Sequence, residues 1–289
     1  MRWLLLALAL GGCVQRAPAP APRPHYVVGP GYEAGGAWFY PREELGYDAT
    51  GLAERVADRT GLTADGERFD PSAMAGAHQT LQLPAIARVT NLENGRQVVI
   101  RLNDRGPANP GRVLGLTRRA ADLLGVPATG AARVRVQVEN APSQALRDRL
   151  AGGPQGITAA PRGAVAAENL PPPPGVTQSG RGRVAGVLQA AAADSVPESE
   201  VPDRLPEQVE QVAANPGQLW IMAGQFGQPT YANAVRSKLY GMTTTVERVP
   251  GTRPPAYRVI AGPFASVAEA DAALDRARAA GVTDAKIVV

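Results

Sequence analysis

The placement of proline and glycine constrains this chain more than any other feature of its sequence. The 289 residues include 27 prolines and 32 glycines, which concentrate outside the segments with regular apolar periodicity. Stretches of this kind favour extended, solvated backbone that joins smaller folded units. A chain of 289 residues suggests about two domains when no large part is disordered. We therefore expect two modest cores joined by tethers.

The net charge excludes one class of partner. Lys and Arg number 30 against 26 for Asp and Glu, a balance of +4, and the basic residues are scattered along the chain. Proteins that bind nucleic acid usually cluster their basic residues, so nucleic acid is not the expected partner. No heptad or long apolar edge is evident, and we expect a monomer.

Cys13 is the only cysteine, which excludes an internal disulfide and a multi-cysteine metal site. It follows Arg2 and a short apolar run, residues 3–10. This is the layout of a signal peptide, and the run is far shorter than the roughly 20 residues of a membrane span. The sequence Leu10-Gly11-Gly12-Cys13 resembles a bacterial lipobox. The alternative is a plain secretory signal with an incidental cysteine.

The lipobox resemblance implies a signal peptide over residues 1–12 and lipidation of Cys13. Val14 stands where an aspartate commonly retains such proteins in the inner membrane, so the resemblance implies an outer-membrane lipoprotein facing the periplasm. Residues 13–44 form a Pro/Ala-rich tether and a lead-in. We expect the aromatic residues of that lead-in, within residues 38–40, to pack against the first domain rather than stack on sugar.

Residues 45–139 show β periodicity. Two β-like runs, residues 86–90 and 97–102, flank an Asn94-Gly95 step, which is a strong hairpin signal. A short helix is expected to start at Thr117 and end at Gly125.

Residues 140–216 contain four consecutive prolines and show little apolar periodicity. We expect a disordered linker there, long enough for the two folded ends to act at separate places. Residues 217–289 predict the order β-α-β-β-α-β, an α+β fold with two helices on one face of an antiparallel sheet. The second helix has the clearest signals, with Ser266 as N-cap, Glu269 three residues later and Gly281 as its stop.

Few residues of the chain suggest catalytic chemistry. The only histidines are His25 and His78, and the HExxH, CxxC, Walker and GxSxG patterns are absent. We therefore expect neither metal nor cofactor. Glycosidic bond cleavage needs an acid that protonates the leaving oxygen, usually with a second group beside it. Glu67 and Asp104 suit these roles if the fold brings them together; otherwise Asp104 caps a turn and Glu67 is solvated.

Four motifs resemble rare lipoprotein A, a family of septal lytic transglycosylases with a double-psi β-barrel. They are Asp-Gly-Glu-Arg-Phe, Ala-His-Gln-Thr-Leu, Val-Thr-Asn-Leu-Glu-Asn-Gly-Arg and Asn-Asp-Arg-Gly-Pro, at residues 65–69, 77–81, 89–96 and 103–107. The resemblance covers residues 45–139 and implies a six-stranded double-psi barrel. It places the family's functional residues at Glu67, His78 and Asp104, with Asn103 and Arg105 as substrate contacts.

The same resemblance implies an activity on peptidoglycan. The enzyme would cut the β-1,4 bond between N-acetylmuramic acid and N-acetylglucosamine in peptide-stripped strands at the division septum. The C6 hydroxyl of the sugar would attack and leave a 1,6-anhydro end. Asp104 would act as general acid and then base beside Glu67, and His78 would orient one of them. We expect the three side chains to line one groove.

Two departures from the family pattern keep a non-catalytic alternative open. The family has Ala-Ser-Trp-Tyr-Gly where this chain has Ala-Glu-Arg-Val-Ala at residues 53–57, and Gly115 stands where the family has a carboxylate. Barrels of this type also hold polysaccharide without cutting it. The alternative is therefore a peptidoglycan-binding envelope lipoprotein without turnover.

The C-terminal segment resembles a SPOR domain through residues 221–226 and 257–264. Such domains bind glycan strands that have lost their stem peptides. The sheet face offers Gln225, Tyr257 and Arg258 as candidate contacts. Phe226 and Phe264 are expected to pack at strand ends instead.

Overall fold

The computed structural model describes residues 20–151 and 204–289. The signal segment, Cys13 and the middle of the predicted linker lie outside these ranges. Within them, no helix has the length and apolar character needed to cross a membrane.

A small hairpin precedes the first domain. Its strands, β1 (Tyr32–Ala34) and β2 (Ala37–Phe39), pair antiparallel. Trp38 and Tyr40 are 59% and 66% exposed. The expectation that the lead-in aromatics pack against the domain is wrong for these two residues, because positions two apart share one face of an extended chain and that face is turned to solvent.

Six strands close into a barrel: β3 (Asp48–Arg55), β4 (Ala75–His78), β5 (Ala85–Asn91), β6 (Arg96–Asp104), β7 (Leu114–Leu116) and β8 (Ala132–Val138). Their order around the barrel is β3, β7, β4, β6, β5, β8 and back to β3. The β3–β7 and β4–β6 pairs are parallel and the other pairs antiparallel. The prediction of a six-stranded closed barrel is confirmed.

Turn and cap residues explain the local boundaries in the barrel. Gly95 has a φ of 74° in the turn between β5 and β6, as the Asn-Gly signal predicts. Helix α1 (Arg118–Leu124) starts where the Thr117 hydroxyl accepts the amide of Ala120 and ends at Gly125, which is left-handed. These observations confirm the predicted hairpin and helix.

Both ends of the predicted linker are ordered. Helix α2 (Asn140–Leu150) buries Leu146 and Ser143 against the barrel, where the Ser143 hydroxyl accepts the amide of Ile86 at 2.9 Å. Strand β9 (Glu210–Gln211) pairs with β6. The prediction of disorder is therefore wrong for residues 140–151 and 204–216, where the barrel supplies contacts that local periodicity does not reveal.

The second domain has the predicted order of elements: β10 (Leu219–Phe226), α3 (Pro229–Lys238), β11 (Thr244–Val249), β12 (Ala256–Phe264), α4 (Val267–Ala279) and β13 (Lys286–Val288). The sheet order is β11, β12, β10, β13, all antiparallel. The Ser266 hydroxyl accepts the amide of Glu269 at 3.2 Å at the start of α4. Phe226 and Phe264 pack against the core, as expected.

The two domains contact each other through the outer side of β3. Leu52 is fully buried in the core of the second domain, and the Thr50 hydroxyl donates to the carbonyl of Val289 at 2.7 Å. The Arg112 guanidinium donates to both carboxylate oxygens of Asp271, at 2.6 and 2.8 Å. In this structure the two folded domains are therefore in direct contact.

Candidate active site

The loop between β3 and β4 carries Glu67 to the barrel. Its turn requires Gly66, because φ is 83° and a Cβ there would lie 2.3 Å from the carbonyl oxygen of Arg23. The amide of Asp65 donates to the carbonyl of Asn103 at 3.2 Å, which fastens the loop to the end of β6. This contact brings two motifs that are distant in the sequence into one site.

Glu67 is held by two side chains of β6. Its carboxylate accepts the Asn103 amide nitrogen at 2.8 Å and forms an ion pair with Arg101. Arg101 is only 7% exposed, and its Nε and Nη1 have no hydrogen-bond partner in the described part of the chain. A buried cation with so few partners holds the Glu67 carboxylate firmly in its place.

Asp104 follows Asn103 in the chain. Glu67 and Asp104 lie on opposite sides of Asn103. The Asp104 carboxylate accepts the amides of Ala64 at 3.0 Å and Arg105 at 2.9 Å, and it forms an ion pair with Arg59. Arg59 has a side chain that is 40% exposed. Asp104 therefore has one partner that an incoming ligand can displace and two that it cannot.

Glu67 and Asp104 line adjoining cavities. The cavity at Glu67 has a volume of about 290 Å³ and the one at Asp104 about 310 Å³. Both are lined by Phe69, Asn103 and Thr117. The structure thus brings the two predicted carboxylates to one side of the barrel, with Asn103 between them.

Asp65 is a site residue that the sequence reasoning did not single out. Its side chain is fully buried, and Oδ1 accepts the Thr63 hydroxyl at 2.7 Å and the Glu67 amide at 3.2 Å. Oδ2 is buried without a hydrogen-bond partner among the described residues. Burial, followed by the charge of Glu67, raises the pKa of Asp65 to about 7. Only tertiary burial distinguishes it from the other carboxylates of the chain.

His78 lies apart from both carboxylates. Its Nδ1 accepts the amides of Thr80 and Leu81, both at 3.1 Å, so Nε2 carries the hydrogen and faces the Tyr47 hydroxyl at 3.2 Å. Burial, then the charge of Arg105, lowers the pKa of His78 to about 3, and the ring is neutral at physiological pH. The expectation that His78 orients Glu67 or Asp104 is wrong, since its ring nitrogens are used to shape its own loop.

Arg105 is committed to the same loop. Its guanidinium donates to the carbonyls of His78 at 3.4 Å, Leu81 and Val28, and burial lowers its pKa. The guanidinium is thus taken up by backbone, which does not support the prediction of a substrate contact. Asn103 faces both cavities, so a substrate contact remains the prediction for this residue.

The described residues contain no group of three or more His, Cys, Asp or Glu side chains that could hold a metal ion.

Two parts of the chain match known family models. Residues 34–136 match the family model described as lytic transglycolase, and residues 215–287 match the SPOR domain model. The endolytic peptidoglycan transglycosylase RlpA of Pseudomonas aeruginosa is 32% identical over 286 residues, with 95% of this chain and 81% of that protein covered. The chain belongs to the RlpA family. The enzyme class, the double-psi barrel and the SPOR domain are confirmed.

Two further relatives have the same family name. RlpA of Yersinia pestis is 38% identical over 151 residues, which cover 43% of this chain and 42% of that protein. A crystal structure of the RlpA SPOR domain from Pseudomonas aeruginosa covers 25% of this chain and 97% of its own, at 24% identity and a TM-score of 0.24.

The departures from the RlpA pattern are neighbours in space. Strands β3 and β7 run parallel, with Glu54 opposite Gly115. A Cβ at Gly115 would lie 2.6 Å from Cγ1 of Val56, and Val56 lines the Asp104 cavity. Val56 thus occupies the space that a side chain at position 115 would need.

The SPOR candidates lie on two different faces. Arg258 stands opposite Gln225 on one side and Glu247 on the other, and pairs with Glu247 at 3.0 Å. Tyr257 stands opposite Phe226 and packs against the SPOR core, on the helix side of the sheet. Gln225 and Arg258 therefore share the open face, whereas the placement of Tyr257 there is wrong because neighbouring strand residues alternate in direction.

Proposed function

We propose that this protein is an endolytic peptidoglycan transglycosylase that cleaves the bond between N-acetylmuramic acid and N-acetylglucosamine in peptide-stripped strands. Its products would carry 1,6-anhydro-N-acetylmuramic acid ends. The observation that carries the proposal is the placement of Glu67 and Asp104 on either side of Asn103, in adjoining cavities. Family membership supplies the class of substrate.

In this mechanism Asp104 moves the proton. It donates a proton to the glycosidic oxygen as that bond breaks, and it takes the proton of the C6 hydroxyl as this oxygen bonds to C1. Protons therefore balance and no water is consumed. Because Arg59 is partly exposed, an incoming glycan can displace it and so reach the Asp104 carboxylate.

Glu67 would act through its charge. Held by Arg101 and Asn103, it is an anion of fixed position that can stabilise the positive charge that develops at the anomeric carbon. Asp65 has a pKa of about 7 and retains its proton near neutrality. No second negative charge then lies beside Glu67.

Sugar analysis tests the proposal. A soluble form that begins after Cys13 is incubated with peptide-stripped peptidoglycan, and the released fragments are examined by mass spectrometry. We expect anhydro-ended fragments from the parent and from Asp48→Asn, an aspartate paired with Arg135 on the barrel surface, but not from Asp104→Asn. Binding without release by all three proteins would contradict turnover and leave the non-catalytic alternative.

The same proposal extends to location. Lipidation of Cys13 would hold the protein at the outer membrane facing the periplasm, as the Leu10-Gly11-Gly12-Cys13 sequence followed by Val14 implies. The SPOR domain would enrich it at the septum, on strands that have lost their peptides. Labelled fatty acid should enter the parent and not Cys13→Ser, and the variant should leave the membrane fraction. Equal labelling of the two would contradict the anchor.

A further inference from the structure

A third cavity, of about 260 Å³, lies between the barrel and the SPOR domain. Its walls come from the hairpin and the β4 end of the barrel on one side, and from residues 278 and 283–287 of the SPOR domain on the other. Neither Glu67 nor Asp104 lines it. The proposed mechanism makes no use of this cavity.

Two exposed aromatic rings form one wall. Trp38 and Tyr40 are 59% and 66% exposed, and their rings are nearly parallel, with centroids 6.4 Å apart and an angle of 20° between the planes. Large exposed apolar groups that cluster mark interaction sites. Flat rings with a polar edge are the side chains that suit a ligand with one apolar face and polar rims, and a pyranose ring is such a ligand.

The platform is held in place by the barrel. The Tyr32 hydroxyl donates to the carbonyl of Gln79 at 2.9 Å, and the amide of Arg42 donates to the carbonyl of Thr80 at 2.8 Å. Both acceptors belong to the loop that His78 shapes. The hairpin that carries the two rings is therefore attached to the barrel before a ligand arrives, which lowers the entropic cost of binding.

The charges that line the cavity favour an anion. Four lining side chains are basic and one, Asp284, is acidic. Arg42 and Arg112 are paired with carboxylates, which leaves Arg278 and Lys286 for an anion. Arg278 has a buried Nη2 without a hydrogen-bond partner among the described residues, and Lys286 forms no ion pair within them. A peptide-stripped glycan strand exposes the lactyl carboxylate of each muramic acid. The cavity thus combines a surface for the sugar ring with cations for its carboxylate.

We propose that this cavity is a glycan subsite that holds a peptide-stripped strand between the catalytic barrel and the SPOR domain. Trp38 and Tyr40 stack on a sugar ring, and Lys286 and Arg278 pair with a lactyl carboxylate. The inference rests on the proposed function for its choice of glycan.

Fluorescence gives a readout that is specific to this site. The chain has three tryptophans, so in a form that begins after Cys13 the Trp220→Phe variant keeps Trp38 alone. With Asp104→Asn added to prevent turnover, this protein is titrated with soluble oligosaccharides of alternating N-acetylglucosamine and muramic acid. We expect a saturable change in Trp38 emission.

The Lys286→Gln variant tests the carboxylate contact. It should weaken this binding about tenfold, about 1.4 kcal/mol. The binding of chito-oligosaccharides, which lack the carboxylate, should be unchanged.

Kinetics on the otherwise unaltered soluble protein gives the second test. The double variant Trp38→Ala/Tyr40→Ala should raise KM about tenfold and change kcat little. Tyr240→Ala removes a ring that is 97% exposed on the SPOR domain and should match the parent. A parent-like KM in the double variant, or no Trp38 response at oligosaccharide concentrations that saturate turnover, would overturn the subsite. A Trp38 response without anhydro products from the parent would instead overturn the proposed function.

Discussion

The barrel and the SPOR domain differ most in what they bury. Among the described residues, every buried polar or charged side chain lies between Thr63 and Ser143, and residues 217–289 bury apolar side chains alone. Polar groups held away from water act strongly on nearby charge, whereas a domain that only presents a surface needs an apolar scaffold. The buried polar side chains of the described residues therefore all belong to the barrel domain and the helix that follows it.

The largest effect is expected at Glu67. Replacing it by Gln removes the charge that Arg101 and Asn103 hold in place, and turnover of peptide-stripped glycan should fall about 1000-fold, about 4 kcal/mol of transition-state energy. Glu93→Gln, at an exposed barrel carboxylate near Arg133, is the control and should keep full turnover. Full turnover by Glu67→Gln would break the assignment of chemistry to the buried polar groups of the barrel.

A core substitution in the SPOR domain should act on stability instead. Ile221 is fully buried, and Ile221→Ala should lower the free energy of unfolding of the domain by about 2–5 kcal/mol. Retention on sacculi should fall while turnover of short soluble strands persists. Met222→Ala, on the open face, is the matched control in thermal unfolding. Loss of turnover on short strands by Ile221→Ala would show that the two regions are not separable.

The contact between the domains should give a smaller change. Arg112 is buried and Asp271 is partly exposed, so Asp271→Asn should destabilise the docked arrangement by about 2 kcal/mol, between the values for exposed and buried pairs. Hydrogen exchange in α4 and β13 should become faster. Asp275→Asn on the same helix serves as control. Exchange equal to that of the parent would mean that the apolar contact at Leu52 alone holds the domains together.

The last expected effect concerns pH. The pKa of Asp65 is about 7 in the folded chain against 3.8 for a free side chain. Folding therefore favours the protonated carboxyl group of Asp65. The contribution of this group to the free energy of unfolding is fully present below about pH 4 and is lost as the pH rises toward 7. Asp65→Asn removes this dependence, so the variant should gain at least about 1 kcal/mol relative to the parent between about pH 4 and about pH 8.

Urea unfolding at the two pH values measures the Asp65 effect. Glu93→Gln, at an exposed carboxylate, is again the control and should follow the parent at both. An Asp65→Asn difference that does not change with pH would show that the ionised carboxylate is not strained in the barrel.

Features with local causes were predicted from the sequence. The Asn94-Gly95 turn needs a positive φ, which glycine allows, and α4 starts at Ser266 because its hydroxyl satisfies a free amide. The positions of Glu67 and Asp104 followed from motifs rather than from geometry. Helix α2 and strand β9 were missed because the surface that stabilises each of them belongs to the barrel, far away in sequence.

By itself the sequence determined the two folded units, the order of elements in the second of them, and the residue types available for glycan chemistry, because caps, turns and alternation act between near neighbours. Only the tertiary structure decided which carboxylates meet across Asn103, that Asp65 is buried, that His78 lies elsewhere, and that Trp38 is exposed. Burial and charge pairing join residues that are distant in the chain, and the closure of the barrel decides those neighbours.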